Sequence, residues 1–343
     1  LAHWMAFVLV VASVFKTAAS WRRLLNVNLA IAFTMSVLGL GELAGYSPLS
    51  FIDPAGKLHI TLGNSTYVGA YHLVGVLIAM GFLVQSYQPP REEPSRATGR
   101  RRRRRAKPVN QTQFPINLYL MRMFWILVIV LGAVMVLQSG TRGALIGLGS
   151  GFLVFAIAYT LWGRDRNLKR ASMVVIGGLV LLGLTLALAR NTEAFQNVVK
   201  DIPALHRLST ISLTEGSFAH RIETGIIGLR GFAERPLLGW GPENFTVAYD
   251  RLVTGDVVIQ QTQSFDQAHN KVIEELTTKG ILGLAAYMGI WLLMLRAFVR
   301  KVRSESAHSQ ILTMFVGAAL AGYFVQNLAL FDTPGTVSQF MLL

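Results

Sequence analysis

Apolar runs alternate with short polar junctions along most of this chain. Most runs approach the roughly 20 residues that a helix needs to cross about 30 Å of hydrocarbon. They cover Trp4 to Ala19 (short), Leu24 to Ala44, Tyr67 to Tyr87, Leu118 to Leu137, Ala144 to Trp162, Ser172 to Ala189, Ile281 to Val299 and Ile311 to Leu330, with a further start at Val337. The pattern predicts an all-α polytopic membrane protein. One long polar excursion, Arg190 to Thr278, breaks the alternation and is where chemistry is expected. The expected organisation is therefore transmembrane helices over 1–189 with a basic cytoplasmic loop at 88–115, an outer loop over 190–278, and C-terminal transmembrane helices over 279–343. The chain opens on Leu1 and stops inside an apolar stretch, which predicts a piece of a longer protein.

Composition agrees with a bilayer as solvent: 52% of residues are hydrophobic and only 15% are charged. Cations occupy every second junction, namely Lys16, Arg22 and Arg23, then Arg91 to Lys107, Arg164 to Arg170, and Arg296, Arg300, Lys301 and Arg303. Short basic loops stay cytoplasmic, so Tyr46 to Thr66, Gln138 to Gly143, Arg190 to Thr278 and Phe331 to Thr336 are expected on the outer face. The net charge of +14 comes largely from the inner loops. The six arginines Arg100 to Arg105 read as a topological anchor beside anionic lipid, not as a nucleic-acid site. Cysteine is absent, which excludes disulfides and thiolate metal sites. The seven histidines lack metal-ligand spacing, so no metal and no cofactor is expected from motifs, although carboxylates and carbonyls can hold Mg²⁺ or Ca²⁺.

Three outer features carry candidate chemistry. In Gln138-Ser139-Gly140-Thr141-Arg142-Gly143-Ala144, small residues let backbone N–H groups approach an anion beside Arg142, while Gly143, Gly147 and Gly151 predict a smooth face for close helix packing. A plain alternative is an arginine anchoring a helix end among lipid headgroups. The spacing of Phe218, Ile222, Ile226 and Leu229 predicts an amphipathic helix over Ser217 to Arg235 lying along the membrane surface. Arg221 lies at the margin of its apolar face, and Pro236 ends it. Finally, Asp266-Gln267-Ala268-His269-Asn270 opens a helix leading into the span at Ile281, with Asp266 as candidate cap and His269 in the first turn. A helix N-terminus disfavours imidazolium, leaving a neutral ring that can accept a proton.

In order and spacing the chain resembles the O-antigen ligase and lipid-linked glycan polymerase superfamily, which includes bacterial protein O-oligosaccharyltransferases. The resemblance rests on Gly63-Asn64, Ser139 to Ala144, Arg221 with Pro236, Gly239 and Gly241, and Ala268-His269-Asn270 with Glu274 and Gly280. It implies a GT-C-like bundle with a large, partly helical periplasmic loop, placed in the bacterial inner membrane with the site outside. It also implies a metal-independent glycosyltransferase taking a glycan from undecaprenyl diphosphate to an acceptor hydroxyl on lipid A core, a growing glycan or a protein. By motif the essential residues are Arg142, Arg221 and His269, with Asn270, Lys279, Gln138 and Ser139 as further substrate-binding candidates. A non-enzymatic alternative, an anionic lipid transporter or flippase, would use the same arginines to bind headgroups without reaction.

Overall fold

A computed structural model of the chain describes residues 2–46, 58–88, 115–189, 192–199, 216–253 and 265–343. The helices are α1 (Ala2–Val14), α2 (Ala18–Leu43), α3 (Ser65–Ser86), α4 (Pro115–Ser139), α5 (Arg142–Trp162), α6 (Arg166–Ala189), α7 (Glu193–Val199), α8 (Gly216–Glu234), α9 (Phe245–Leu252), α10 (Lys271–Ser304), α11 (Ala307–Asn327) and α12 (Pro334–Leu342), with a 3-10 turn at Ile60–Leu62. Among the described residues there is no strand. Seven helices, α2 to α6, α10 and α11, are long and apolar enough to cross a membrane. The chain is thus a multi-pass helical bundle. The six-arginine run lies outside the described residues.

The first apolar run departs from its expectation. Its helix α1 ends at Val14 instead of continuing to Ala19. Thr17 caps α2, accepting from Ser20 N at 3.1 Å while Ser20 Oγ accepts from Thr17 N at 3.1 Å. Such a reciprocal cap ends one helix and starts the next. Arg22 and Arg23 consequently lie within α2, not in a loop.

Lipid removes the hydrophobic drive between helices, so close approach depends on small residues. A Cβ at Gly147 would lie 2.7 Å from Gly322 O, one at Gly322 2.7 Å from Gly147 O, and one at Gly151 2.9 Å from Ala318 O. The predicted glycine face therefore packs α5 backbone to backbone on α11. At its outer end Gly143 faces Gln326 O and Ala329 Cβ, each 3.8 Å from where its own Cβ would be. From the other side a Cβ at Gly69 of α3 would meet Thr141 Oγ1, Ser139 Oγ and Ala144 Cβ at 2.5, 2.7 and 2.8 Å. The turn bearing Arg142 is thus wedged between α3 and α11. Nearby, Glu42 fastens the 3-10 segment, its two oxygens accepting from His59 N and Ile60 N at 2.7 Å. Glu42 and the His59 backbone thus have a structural task here.

Beyond the bundle, α8, α9 and the start of α10 close around Ile227, Phe245, Tyr249 and Ala268. One face of α8, with Thr224, Ile227, Gly228 and Gly231, is buried. Gly228 O accepts the Thr277 hydroxyl at 2.9 Å, and Gly231 O accepts the Trp240 indole N–H at 2.8 Å. Ile222, Ile226 and Leu229 remain exposed on another face, the stripe expected to rest on the membrane.

Gly280 interrupts α10 with φ 65° and ψ −166°. Into this break docks the segment Pro236–Gly241. In an uninterrupted helix Ile281 N would donate to Thr277 O; here Ile281 N donates to Pro236 O at 2.8 Å and Thr277 O accepts from Trp240 N at 3.1 Å. Thr278 O likewise accepts from Gly241 N at 2.7 Å. Both contact points need glycine. A Cβ at Gly280 would meet the Leu237 carbonyl at 2.4 Å, and one at Gly239, where φ is 66°, would meet Thr278 C and Lys279 N at 2.5 Å. Gly280→Ala should therefore destabilise by about 2 kcal/mol or more, combining positive-φ strain with backbone overlap. Thermal denaturation in detergent checks this against Gly178→Ala, whose Cβ meets nothing within 4 Å and which should unfold like the parent chain.

Candidate active site

The start of α10 explains the spacing of the Ala268-His269-Asn270 and Glu274 motif. Asn270, not Asp266, is the N-cap: its Oδ1 accepts from Val272 N at 3.0 Å and Ile273 N at 3.2 Å. Glu274 reaches back so that its Oε2 accepts from Ala268 N at 2.7 Å. These bonds pin the residues on both sides of His269, which precedes the cap and takes φ 50°. That left-handed backbone is uncommon outside glycine, though histidine tolerates it better than most. His269 Nδ1 lies 3.1 Å from Gln267 O. A carbonyl only accepts, so the neutral ring carries its proton on Nδ1 and presents Nε2 as the basic atom. Phe265 and Phe331 hold the ring edge-to-face, with centroids 5.6 and 5.2 Å away.

Two guanidinium groups share this region. Arg221, half-buried on α8, has its pKa pushed below the ordinary value by burial and then by the charge of Arg142, the first residue of α5. The His269 imidazole is also pushed down, chiefly by burial. Arg221 lowers it further, while the Gln267 carbonyl and Asp266 act in the opposite direction. Arg221 on α8 is thus coupled both to Arg142 at the head of α5 and to the histidine before α10. Partial burial strengthens that coupling relative to water, and an anion would relieve the repulsion between the arginines.

The remaining candidates are placed differently. Ser139 is buried and its hydroxyl donates to Val136 O at 2.7 Å and lies 2.9 Å from Thr141 Oγ1, which occupies it within its own turn. Gln138 is exposed beside it. Asn270 spends its oxygen on the cap. Lys279 donates to both Glu275 oxygens at 2.6 Å. Residues absent from the sequence-based candidates meet the histidine instead: Phe265 and Phe331, the latter followed in the chain by Asp332, which pairs with Lys271. Lys271 Nζ lies 2.8 Å from Glu275 Oε1 and 2.9 Å from Asp332 Oδ2. The one available signal was Asp332 itself, a carboxylate in a short turn between apolar segments.

A family model described as O-antigen ligase matches residues 127–288. This match, over just under half of the chain, supports membership of the O-antigen ligase superfamily. The match runs from α4 past Gly280 and so takes in Arg142, Arg221, His269 and the backbone interlock, whereas Phe331 and Asp332 lie beyond it. No curated protein matches the chain in sequence. Membership of this ligase and polymerase superfamily implies glycosyltransferase-type activity with a lipid-linked glycan and an acceptor as partners.

An imidazole with a depressed pKa stays neutral to lower pH than one at the ordinary value of 6.5. Any stability gained by burying the neutral ring is present above that value and is lost as pH falls through the lower folded one. Arg221→Gln removes one depressing charge and should raise the His269 pKa. Histidine NMR titration, with the resonance assigned by His269→Ala, checks this; an unmoved titration would contradict the coupling.

Proposed function

We propose that the protein transfers a glycan from undecaprenyl diphosphate to an acceptor hydroxyl on the outer face of the bacterial inner membrane, with inversion and without a metal. The reading rests above all on Arg221, which is coupled electrostatically to both Arg142 and His269, three groups far apart in sequence. The alternation of basic junctions supports the outer placement. Arg142 and Arg221 bind the diphosphate, for which forked guanidinium contacts are suited. The acceptor oxygen attacks the anomeric carbon, the bond from that carbon to the phosphate oxygen breaks, and its electron pair stays on the departing undecaprenyl diphosphate. Cations already in place stabilise that charge without reorganising; a charge pair near 4 Å is worth about 4 kcal/mol at an effective dielectric near 20. His269 Nε2 takes the hydroxyl proton as the new bond forms.

The outer unit, residues 190–278, acts in this reading as a partly helical catalytic cover over 1–189 and 279–343. Its exposed α8 stripe rests in the outer leaflet, which lets the prenyl tail remain in lipid while the diphosphate reaches the arginines. A polymerase and a protein O-oligosaccharyltransferase share the donor and differ only in the acceptor.

Purified protein, a defined undecaprenyl diphosphate glycan, EDTA and a panel of hydroxyl acceptors form the decisive assay, read by mass spectrometry and product stereochemistry. Inverted glycosyl acceptor and free undecaprenyl diphosphate are expected. His269→Ala should slow transfer by about 10²- to 10⁴-fold with donor binding retained, whereas Arg142→Gln and Arg221→Gln should weaken both. Retained stereochemistry, dependence on metal, or movement of intact donor without cleavage would overturn the reading.

A further inference from the structure

Resting on the transferase reading, we propose that Asp332 is a positioning residue that keeps His269 in register with Arg142. Arg142 heads α5 in the membrane bundle, whereas His269 belongs to the outer unit beyond the break at Gly280. Something must fix one against the other. The turn after α11 lies between them. On one side Gln326 O and Ala329 Cβ flank Gly143, the neighbour of Arg142. On the other, Phe331 presents its ring to His269 and also meets Tyr67 of α3, with centroids 6.1 Å apart.

Asp332 makes this turn rigid. Its Oδ1 accepts from the Tyr323 hydroxyl and from Asn327 Nδ2, the latter at 2.7 Å, and both donors belong to α11. Its Oδ2 lies 2.9 Å from Lys271 Nζ, two residues after His269. One carboxylate thereby ties the end of α11, which contacts the Arg142 turn, to the first residue of α10. Lys271 is held in turn by Glu275, whose other oxygen pairs with Lys279. Charge-assisted bonds from several elements to a partly buried carboxylate fix geometry more firmly than any one exposed pair. Transfer depends on the relative placement of base and leaving-group cations, and a displacement of about 1 Å can lower a rate by about a hundredfold. Asp332 would act through that placement and not by touching substrate.

Asp332→Asn keeps the shape and removes the charge that holds Lys271. Phe331→Leu keeps the carboxylate and removes the ring contact, so it tests the same path if the first variant folds poorly. Each should lower kcat by about ten- to a hundredfold with donor affinity unchanged, and should shift the His269 imidazole NMR resonance. In a His269→Ala background neither should slow residual transfer further, because a residue acting through the histidine has nothing left to position. Loss of donor affinity in step with rate, an additive loss in that background, or an unmoved imidazole resonance would overturn the proposal. A parent chain that makes no product sinks the transferase reading alone, since the imidazole resonance still reports on Asp332.

Discussion

Backbone carbonyls released where a helix breaks must find other donors, and in α10 they find them in the Pro236–Gly241 segment. Thr277 O and Thr278 O accept from Trp240 N and Gly241 N, while Ile281 N turns to Pro236 O. The exchange leaves the break satisfied at the cost of a close approach that glycine alone permits at positions 239 and 280. Its consequence is directional. The first part of α10 belongs to the outer unit, packed on α8 and α9, while the part after Gly280 is the apolar span. Arg221 follows from the same constraint, because the α8 it stands on is bound to Thr277 through Gly228 O.

Electrostatics then acts on a frame that packing has set. Glu274 is committed to the Ala268 N–H, and Glu275 and Asp332 to Lys271 and Lys279. Burial disfavours charge on both His269 and Arg221, and the arginines disfavour each other. Such an arrangement is poor at holding an extra proton and good at receiving an anion. The strained backbone at His269 fits the same account: the cap on one side and the Glu274 bond on the other force the turn, and the turn directs the ring toward Phe331.

The glycine pattern shows how far local chemistry was legible. Gly143, Gly147 and Gly151 announced a close helix contact, because a four-residue interval always places small side chains on one helical face. The partner, α11 at Ala318 and Gly322, was not legible, since nothing in the interval names it. The cap of α10 divides similarly. Asp266 and Asn270 are both competent caps by residue type, and choosing between them required the path of the chain, which bends at His269 with φ 50°. The run from Trp4 to Ala19 divides between α1 and α2, because hydropathy does not register a Thr17–Ser20 cap inside an apolar run.

The sequence by itself determined the membrane class, most of the spans and the amphipathic α8, and it supplied Arg142, Arg221 and His269 as candidates, because these depend on residue type and short intervals. Only the tertiary structure decided that the α8 arginine acts on the histidine before α10 and is itself acted on by Arg142 of α5, that Lys279 and Ser139 are engaged by near neighbours, and that Phe331 backs the imidazole while Asp332 pairs with Lys271. Contacts between residues more than sixty positions apart, such as Lys271 with Asp332, depend on how helices cross, and helix crossing is set by packing that no local pattern encodes.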